Sequence, residues 1–316
     1  MFEGARIGVV IPCYNEERLV ARVIESMPDF VDRLYVIDDK STDSTVDVVR
    51  GFVKQDPERI QLITHDANQG VGGAIASGYK TALKDRMDVT AVMAGDAQMD
   101  PNDLVNIVGP VARGECDYTK GNRLFTGDAW TIIPRVRFLG NAAISLLTKI
   151  ASGYWHIADS QSGYTAIGFK ALSIIDWDQM YKQYGQPNDL LVRLNINNFS
   201  VRDIPVRPIY NIGERSGVNP LRIIPKLTWL LWRLFLYRML QKYVIRDFHP
   251  LLFFYAFGLI LFPSGTVLGI YLSIYRISVG SVAGTTALFA AFLVITGLQS
   301  LFFAMWFDME YNKHLR

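Results

Sequence analysis

Short β-branched runs alternate with stretches of helical periodicity through the first part of the chain. "RIGVVI" (6–11), "RLYVIDD" (33–39), "IQLITHD" (60–66) and "DVTAVMAGD" (88–96) read as strands, apolar enough to be covered on both faces. Helical patterns fill 17–26, 43–54, 73–84 and 101–111 between them, and this βαβ order predicts a parallel sheet. Farther along, the pattern predicts helices at about 134–151 and 188–198 and strands at 163–169 and 201–209. After residue 250 the character changes. No residue is charged from Leu251 to Tyr275, nor from Ile277 to Phe307, and each run exceeds the roughly 20 residues that cross a bilayer as a helix. The patterning therefore predicts an α/β domain over 1–215, a membrane-interface region over 216–250, and a two-span region over 251–316 with spans at about 251–275 and 281–307.

The net charge of +2 says little by itself and gives no basis for a nucleic-acid partner. Its distribution says more. Between residues 215 and 246 there is no acid, while Arg215, Arg222, Lys226, Arg233, Arg238, Lys242 and Arg246 supply cations beside the first span. Basic residues next to a span favour the cytoplasmic side. With two spans and a short connection, both termini and the α/β domain are expected there, in the cell membrane or the endoplasmic reticulum. The same segment, rich in Leu, Trp and Tyr, reads as interfacial. Its cations form no single stripe, which predicts two helices with a break. The N-terminal "RIGVVIPCY" is too short for a secretory signal and runs into polar "NEER". Cys13 and Cys116 lie far apart, so free thiols in a reducing compartment are expected. The histidines, His65, His156, His249 and His314, are scattered, so a metal would have to be held by oxygen.

Polar clusters stand where the strands end, and in an open parallel sheet such ends gather on one edge, where ligands bind. In "IPCYNEE" an aromatic ring and carboxylates could pack and hydrogen-bond a base, or Asn15 could cap a helix. In "DDKSTDST" Asp38 and Asp39 precede a capping cluster, and Asp39 could accept from a pyrimidine N3–H or a guanine N1–H. "NQGVGGAIASGY" is a Gly-rich helix entry that fits neither dinucleotide-binding nor P-loop spacing. "GDAQMDP" offers Asp96 and Gln98, which alternation in an extended backbone would point the same way. Such hard oxygen donors beside a diphosphate suit Mg²⁺ or Mn²⁺.

These four clusters, in this order, resemble the family 2 glycosyltransferases of GT-A fold, in the branch similar to dolichol-phosphate mannose synthase and other polyprenyl-phosphate glycosyltransferases. The resemblance extends over roughly 5–215 through "KGNR" (120–123), "DSQSGYTAI" (159–167), "QPNDLLVRL" (186–194), "IPVRPIY" (204–210) and "GERSG" (213–217). It implies a Rossmann-like, mostly parallel sheet followed by interfacial helices and two membrane helices. It further implies an inverting transfer of a sugar from GDP-mannose, UDP-glucose or UDP-N-acetylglucosamine to a dolichyl or undecaprenyl monophosphate. On this resemblance Pro12, Tyr14, Glu16 and Asp39 would hold the nucleotide, and Asp96 with Gln98 would contact the metal and the donor diphosphate. Arg123, Arg135 and Arg137 would gather phosphates, and the stretch containing Asp159 and Ser162 would lie by the reacting sugar. Asp159 would orient the acceptor, act as a weak base, or merely cap a turn.

One departure matters. The usual metal motif is Asp-x-Asp, and here its first position is Ala94, leaving Asp96 as its only carboxylate. A processive polysaccharide synthase would carry Gln-x-x-Arg-Trp before its spans, a motif that "LTWLLWRLF" lacks. A glycosyltransferase acting on a glycolipid hydroxyl and a non-catalytic membrane scaffold are the other readings. A homo-oligomer sharing its interfacial helices is compatible with each.

Overall fold

Strand β1, Ile7–Cys13, is buried at every residue, as expected of a central strand with helices over both faces. A computed structural model describes residues 1–125, 135–207, 209 and 220–316, with the backbone alone at 135–139, 141 and 220–223. They divide into two units, Met1–Leu236 with Leu315–Arg316, and Tyr237–His314.

In the first unit, β1 pairs in parallel with β2 (Arg33–Asp38) and β4 (Val89–Val92), and β2 pairs in parallel with β3 (Ile60–Thr64). The sheet continues through β6 (Thr165–Gly168) to β5 (Tyr118–Asn122) and β7 (Val201–Pro205), in the order β3-β2-β1-β4-β6-β5-β7. Among the described strands only β6 runs against its neighbours, which it meets at β4 and β5, so the sheet is mostly parallel, as expected. Alternation along the strands feeds two cores. Val9, Ile11, Leu34 and Val36 face one, while Val10, Tyr35, Ile37 and Val92 face the other.

Helices α1 (Val20–Glu25), α2 (Thr45–Gln55), α3 (Val71–Lys84) and α4 (Leu104–Ala112) fall between the early strands where periodicity predicts them. Helix α5 (Arg135–Ser152) and helix α7 (Gln186–Ile196) also match their expected positions to within a turn. Two elements differ from expectation. Strand β5, "YTKGN", is fully buried although its Lys, Gly and Asn give it no strand-like composition, and α6 (Phe169–Ile174) is a short helix where no helical period is visible.

The interface region corrects another expectation. Instead of two helices with a break, helix α8 runs unbroken over Pro220–Leu240 and passes into a π-helical turn, Gln241–Arg246. Trp229, Trp232, Leu236 and Leu240 recur every three or four residues on its exposed side. Two of the cations assigned to the membrane surface are not there. Arg238 and Lys242 are buried, because Asp308 and Asn312 are buried opposite them and require partners. Arg238 makes a bidentate pair with Asp308 (2.8 and 2.9 Å), Tyr243 donates to the same carboxylate (2.6 Å), and Lys242 donates to Asn312 (2.8 Å).

The second unit is otherwise a helical hairpin, α9 (Leu251–Ser278) and α10 (Gly284–Tyr311), each long and apolar enough to cross a membrane. Gly258 packs on Leu301, Gly265 on Val294, and Gly297 on Phe262, an antiparallel register. A Cβ at Gly297 would stand 2.3 Å from the Phe262 nitrogen, so only glycine admits this approach.

Candidate active site

The strand-end clusters meet at one edge of the sheet, and hydrogen bonds stitch the first two together. Asn15, with φ of 59°, accepts from the Thr42 N–H through Oδ1 (2.8 Å), while the Glu16 N–H donates to Thr45 Oγ1 (2.8 Å). The Ser44 N–H donates to Glu17 Oε2 (3.1 Å). Asn15 is thus a bridge between loops, and the alternative of an N-cap is corrected, since α1 begins only at Val20. Pro12 lies in β1 beside Ile37, and the Tyr14 ring is half exposed at the edge. Burial, with the charges of Asp96 and Asp43, pushes the Glu16 carboxyl up to about 7.

Asp39 is almost wholly buried and organises the Gly-rich loop. Its Oδ1 accepts from the Gln69 N–H (2.8 Å) and its Oδ2 from the Gly70 N–H (2.7 Å), while Asn68 Nδ2 donates to its backbone carbonyl (3.1 Å). Gly70 has φ of 84°, and a Cβ there would meet the Lys182 carbonyl at 2.6 Å. Glycine is required on both counts.

Strand β4 ends at Val92, short of Asp96, which corrects the expected span of 88–96. The chain stays bonded to β1 through the Met93 N–H to Val10 O (3.0 Å) and the Gly95 N–H to Pro12 O (3.1 Å), then turns at Ala97, whose φ is 56°. Asp96 Oδ1 accepts from the Gln98 N–H (3.1 Å). The two side chains therefore reach one cavity by a tight turn rather than by strand alternation.

That cavity is also lined by Arg123, Ser162, Tyr164 and Arg207. Arg123, just beyond β5, forms a fork-to-fork pair with Asp159: Nε to Oδ2 is 2.7 Å and Nη2 to Oδ1 is 3.1 Å. The Arg123 N–H also reaches Oδ2 (3.3 Å) and the Gln161 N–H reaches Oδ1 (3.1 Å). Burial alone would raise the Asp159 carboxyl, yet the Arg123 charge and hydrogen bonds hold it below its ordinary value. Beneath Ser162, the buried Lys120 ammonium donates to its carbonyl (2.5 Å), and burial pushes it down to about 8. Asp203, facing the same interior, is pushed by burial up to about 6.

Asp96 and Gln98 both line this cavity, and a carboxylate with an amide oxygen is a donor pair that would fit Mg²⁺ or Mn²⁺ with diphosphate oxygens and water completing the shell. Among the described residues no group of three or more His, Cys, Asp or Glu side chains is placed to hold a metal. The expected side chains of Arg135 and Arg137 lie outside the described residues, although the backbone puts both in the first turn of α5. The "GERSG" stretch lies outside them as well. Sequence reasoning missed Arg207, which stands inside a motif but carries no distinguishing neighbour, and Lys120, whose burial follows from the unforeseen β5.

The model of the family described as glycosyl transferase family 2 matches residues 8–175. The chain is 26% identical over 216 residues to the UDP-N-acetylglucosamine–dolichyl-phosphate N-acetylglucosaminyltransferase of Methanococcus voltae, covering 65% of this chain and 86% of that one. It is 28% identical over 222 residues to the polyprenol monophosphomannose synthase of Mycolicibacterium smegmatis, covering 68% and 82%. Among solved structures, glucosyl-3-phosphoglycerate synthase from Mycobacterium tuberculosis in complex with Mn²⁺, uridine diphosphate and phosphoglyceric acid superposes with a TM-score of 0.54 at 20% identity, covering 74% and 78% of the two chains. That likeness concerns the fold.

Proposed function

The chain belongs to glycosyl transferase family 2, and we propose that it is an inverting enzyme transferring a sugar from GDP-mannose or a UDP-sugar to a membrane-held polyprenyl monophosphate. The observation that carries this reading is the composition of the cavity. Among its described residues two arginines, Arg123 and Arg207, accompany a single carboxylate, Asp96. A site that must bring a diphosphate and a phosphate together needs cations more than it needs a base. The relatives named above take dolichyl phosphate and make a polyprenol phosphomannose by name, and the two apolar helices suit a lipid acceptor.

In the proposed step, an oxygen of the acceptor phosphate attacks the anomeric carbon from the face opposite the leaving group. The bond from that carbon to the donor diphosphate breaks, and its electron pair departs with the nucleoside diphosphate. A phosphate monoester has a second pKa near 6, so the nucleophile is already largely ionised near neutral pH. Asp159, with both oxygens engaged by Arg123 and Gln161, acts by aiming the guanidinium. Arg123 and Arg207 receive phosphate oxygens, assisted by Arg135 and Arg137, and Ser162 lies beside the sugar. Pro12, Tyr14, Glu16 and Asp39 hold the nucleotide. A divalent cation on Asp96 and Gln98 would neutralise charge on the departing diphosphate. The apolar hairpin anchors the chain, with the catalytic domain on the cytoplasmic face.

Purified protein in detergent, given a panel of UDP- and GDP-sugars with either a polyprenyl phosphate or the corresponding polyprenol, tests the reading. Transfer to the phosphate alone is expected, with Asp159→Asn retaining measurable activity. Transfer to the alcohol, abolished by Asp159→Asn, would instead establish a hydroxyl acceptor and a general base. Protease access in sealed vesicles of known orientation tests the proposed face.

A further inference from the structure

One histidine left without a role by its sequence context stands directly behind the nucleotide edge. His65 follows β3, its N–H donating to the Asp38 carbonyl (2.9 Å). Its ring lies between two side chains, with Nδ1 2.7 Å from Asp39 Oδ1 and Nε2 2.9 Å from Ser77 Oγ on α3. The ring and the Asp39 carboxylate are both almost completely buried, at 6% and 4% exposure.

A buried carboxylate is costly unless donors surround it. Among the described residues Asp39 has three, His65 Nδ1, the Gln69 N–H and the Gly70 N–H, against roughly four lone-pair sites on a carboxylate. Two of the three fall on Oδ1, which is then filled. Oδ2 keeps one acceptor site beyond Gly70. With Nδ1 against Asp39 and Nε2 against the Ser77 hydroxyl, both ring nitrogens have a partner. The arrangement superficially matches a Ser-His-Asp array for acyl transfer. That role does not fit, because Ser77 sits in mid-helix, where the surrounding N–H groups are spent on the helix and none is available to stabilise an oxyanion.

We infer that His65 is a positioning residue of the donor site: by occupying Asp39 Oδ1 and being braced by Ser77, it fixes the carboxylate so that Oδ2 meets the imino N–H of a uracil or guanine. This rests on the proposed nucleotide-sugar reading and goes beyond it by assigning the base contact a buried His-Ser support. The two backbone donors order the loop, and the ring orients the carboxylate plane.

The test is calorimetric titration of uridine diphosphate, guanosine diphosphate and inorganic pyrophosphate into the full chain in detergent, for the wild type, His65→Ala, His65→Asn and Ser77→Ala. The wild type is expected to bind one nucleotide more tightly than pyrophosphate. His65→Ala should weaken that nucleotide about tenfold, the scale of one charge-assisted hydrogen bond, and leave pyrophosphate unchanged. His65→Asn, whose amide N–H can stand near the Nδ1 position, should recover most of the loss. Ser77→Ala keeps the ring and should cost about threefold, which carries the test if His65→Ala does not fold. In turnover the expected change is in the donor KM, with kcat retained. Equal loss for nucleotide and pyrophosphate, or no loss in either His65 variant, overturns the assignment while leaving the nucleotide site standing. A wild type that binds neither nucleotide better than pyrophosphate overturns the nucleotide reading and this assignment with it.

Discussion

Arg123 and Asp159 meet fork to fork at 2.7 and 3.1 Å, with the carboxylate fully buried and the guanidinium at the wall of the cavity. Removing one partner of a buried pair strands the other. Asp159→Ala is therefore expected to lower stability by about 2 kcal/mol, below the usual range for buried pairs because the Arg123 side chain is 24% exposed and can rehydrate. Asp159→Asn keeps the shape and should lose roughly 10- to 100-fold in kcat/KM, the cost of a misaimed cation. Thermal melting and steady-state kinetics on the two variants check these outcomes.

The same pair sets an acid limit. The folded-state pKa of Asp159 lies below its ordinary 3.8, although burial opposes this, because Arg123 favours the charged form. Its contribution is therefore complete above 3.8 and is lost as pH falls through the depressed folded value. Denaturant melts from pH 5 downwards should show a steeper loss in the wild type than in Asp159→Asn, and parallel curves would mean that the pair contributes nothing.

Ala94 leaves the proposed metal motif with one carboxylate. Asp96→Ala should reduce turnover by about 100-fold or more, and chelation of divalent cations should do the same to the wild type. Gln98→Ala should raise the Mn²⁺ concentration needed for half-maximal activity. Ala94→Asp restores a carboxylate two residues from Asp96 and is expected to lower that concentration about tenfold, as an added hard oxygen ligand would. Metal titrations of activity read all three.

The α/β layout was legible because β-branched runs and helical periods report burial directly: β2, β3 and β4 fall within the segments so identified, and β1 runs two residues past its segment, to Cys13. The position of the polar clusters was legible for the same reason: each stands at or shortly past the end of a strand. What escaped notice depends on distant partners. Lys120 looks like a surface residue until β5 places it inside, and Arg238 and Lys242 look like membrane-facing cations until Asp308 and Asn312 meet them across about 70 residues of chain. Asp96 and Gln98 line one cavity, but through a left-handed turn at Ala97 rather than the pleat of a strand.

In the second unit, Asp308→Ala leaves Arg238 buried without its carboxylate and should cost about 3–5 kcal/mol. Replacing the pair with apolar residues, Arg238→Met with Asp308→Leu, should restore much of that stability, since a buried pair barely repays its desolvation. Thermal unfolding in detergent, followed by circular dichroism, separates these outcomes.

The reaction proposed for this chain places a sugar on a lipid phosphate. The most direct measurement incubates the purified protein with Mn²⁺ or Mg²⁺, a polyprenyl monophosphate and each of GDP-mannose, UDP-glucose and UDP-N-acetylglucosamine, and weighs the extracted lipid by mass spectrometry. The expected product carries one added hexose or N-acetylhexosamine on the phosphate, with inverted anomeric configuration by NMR, and is lost in Asp96→Ala and Arg123→Ala. A lipid phosphate unchanged with every donor, or a product that persists in both variants, would contradict the proposed reaction.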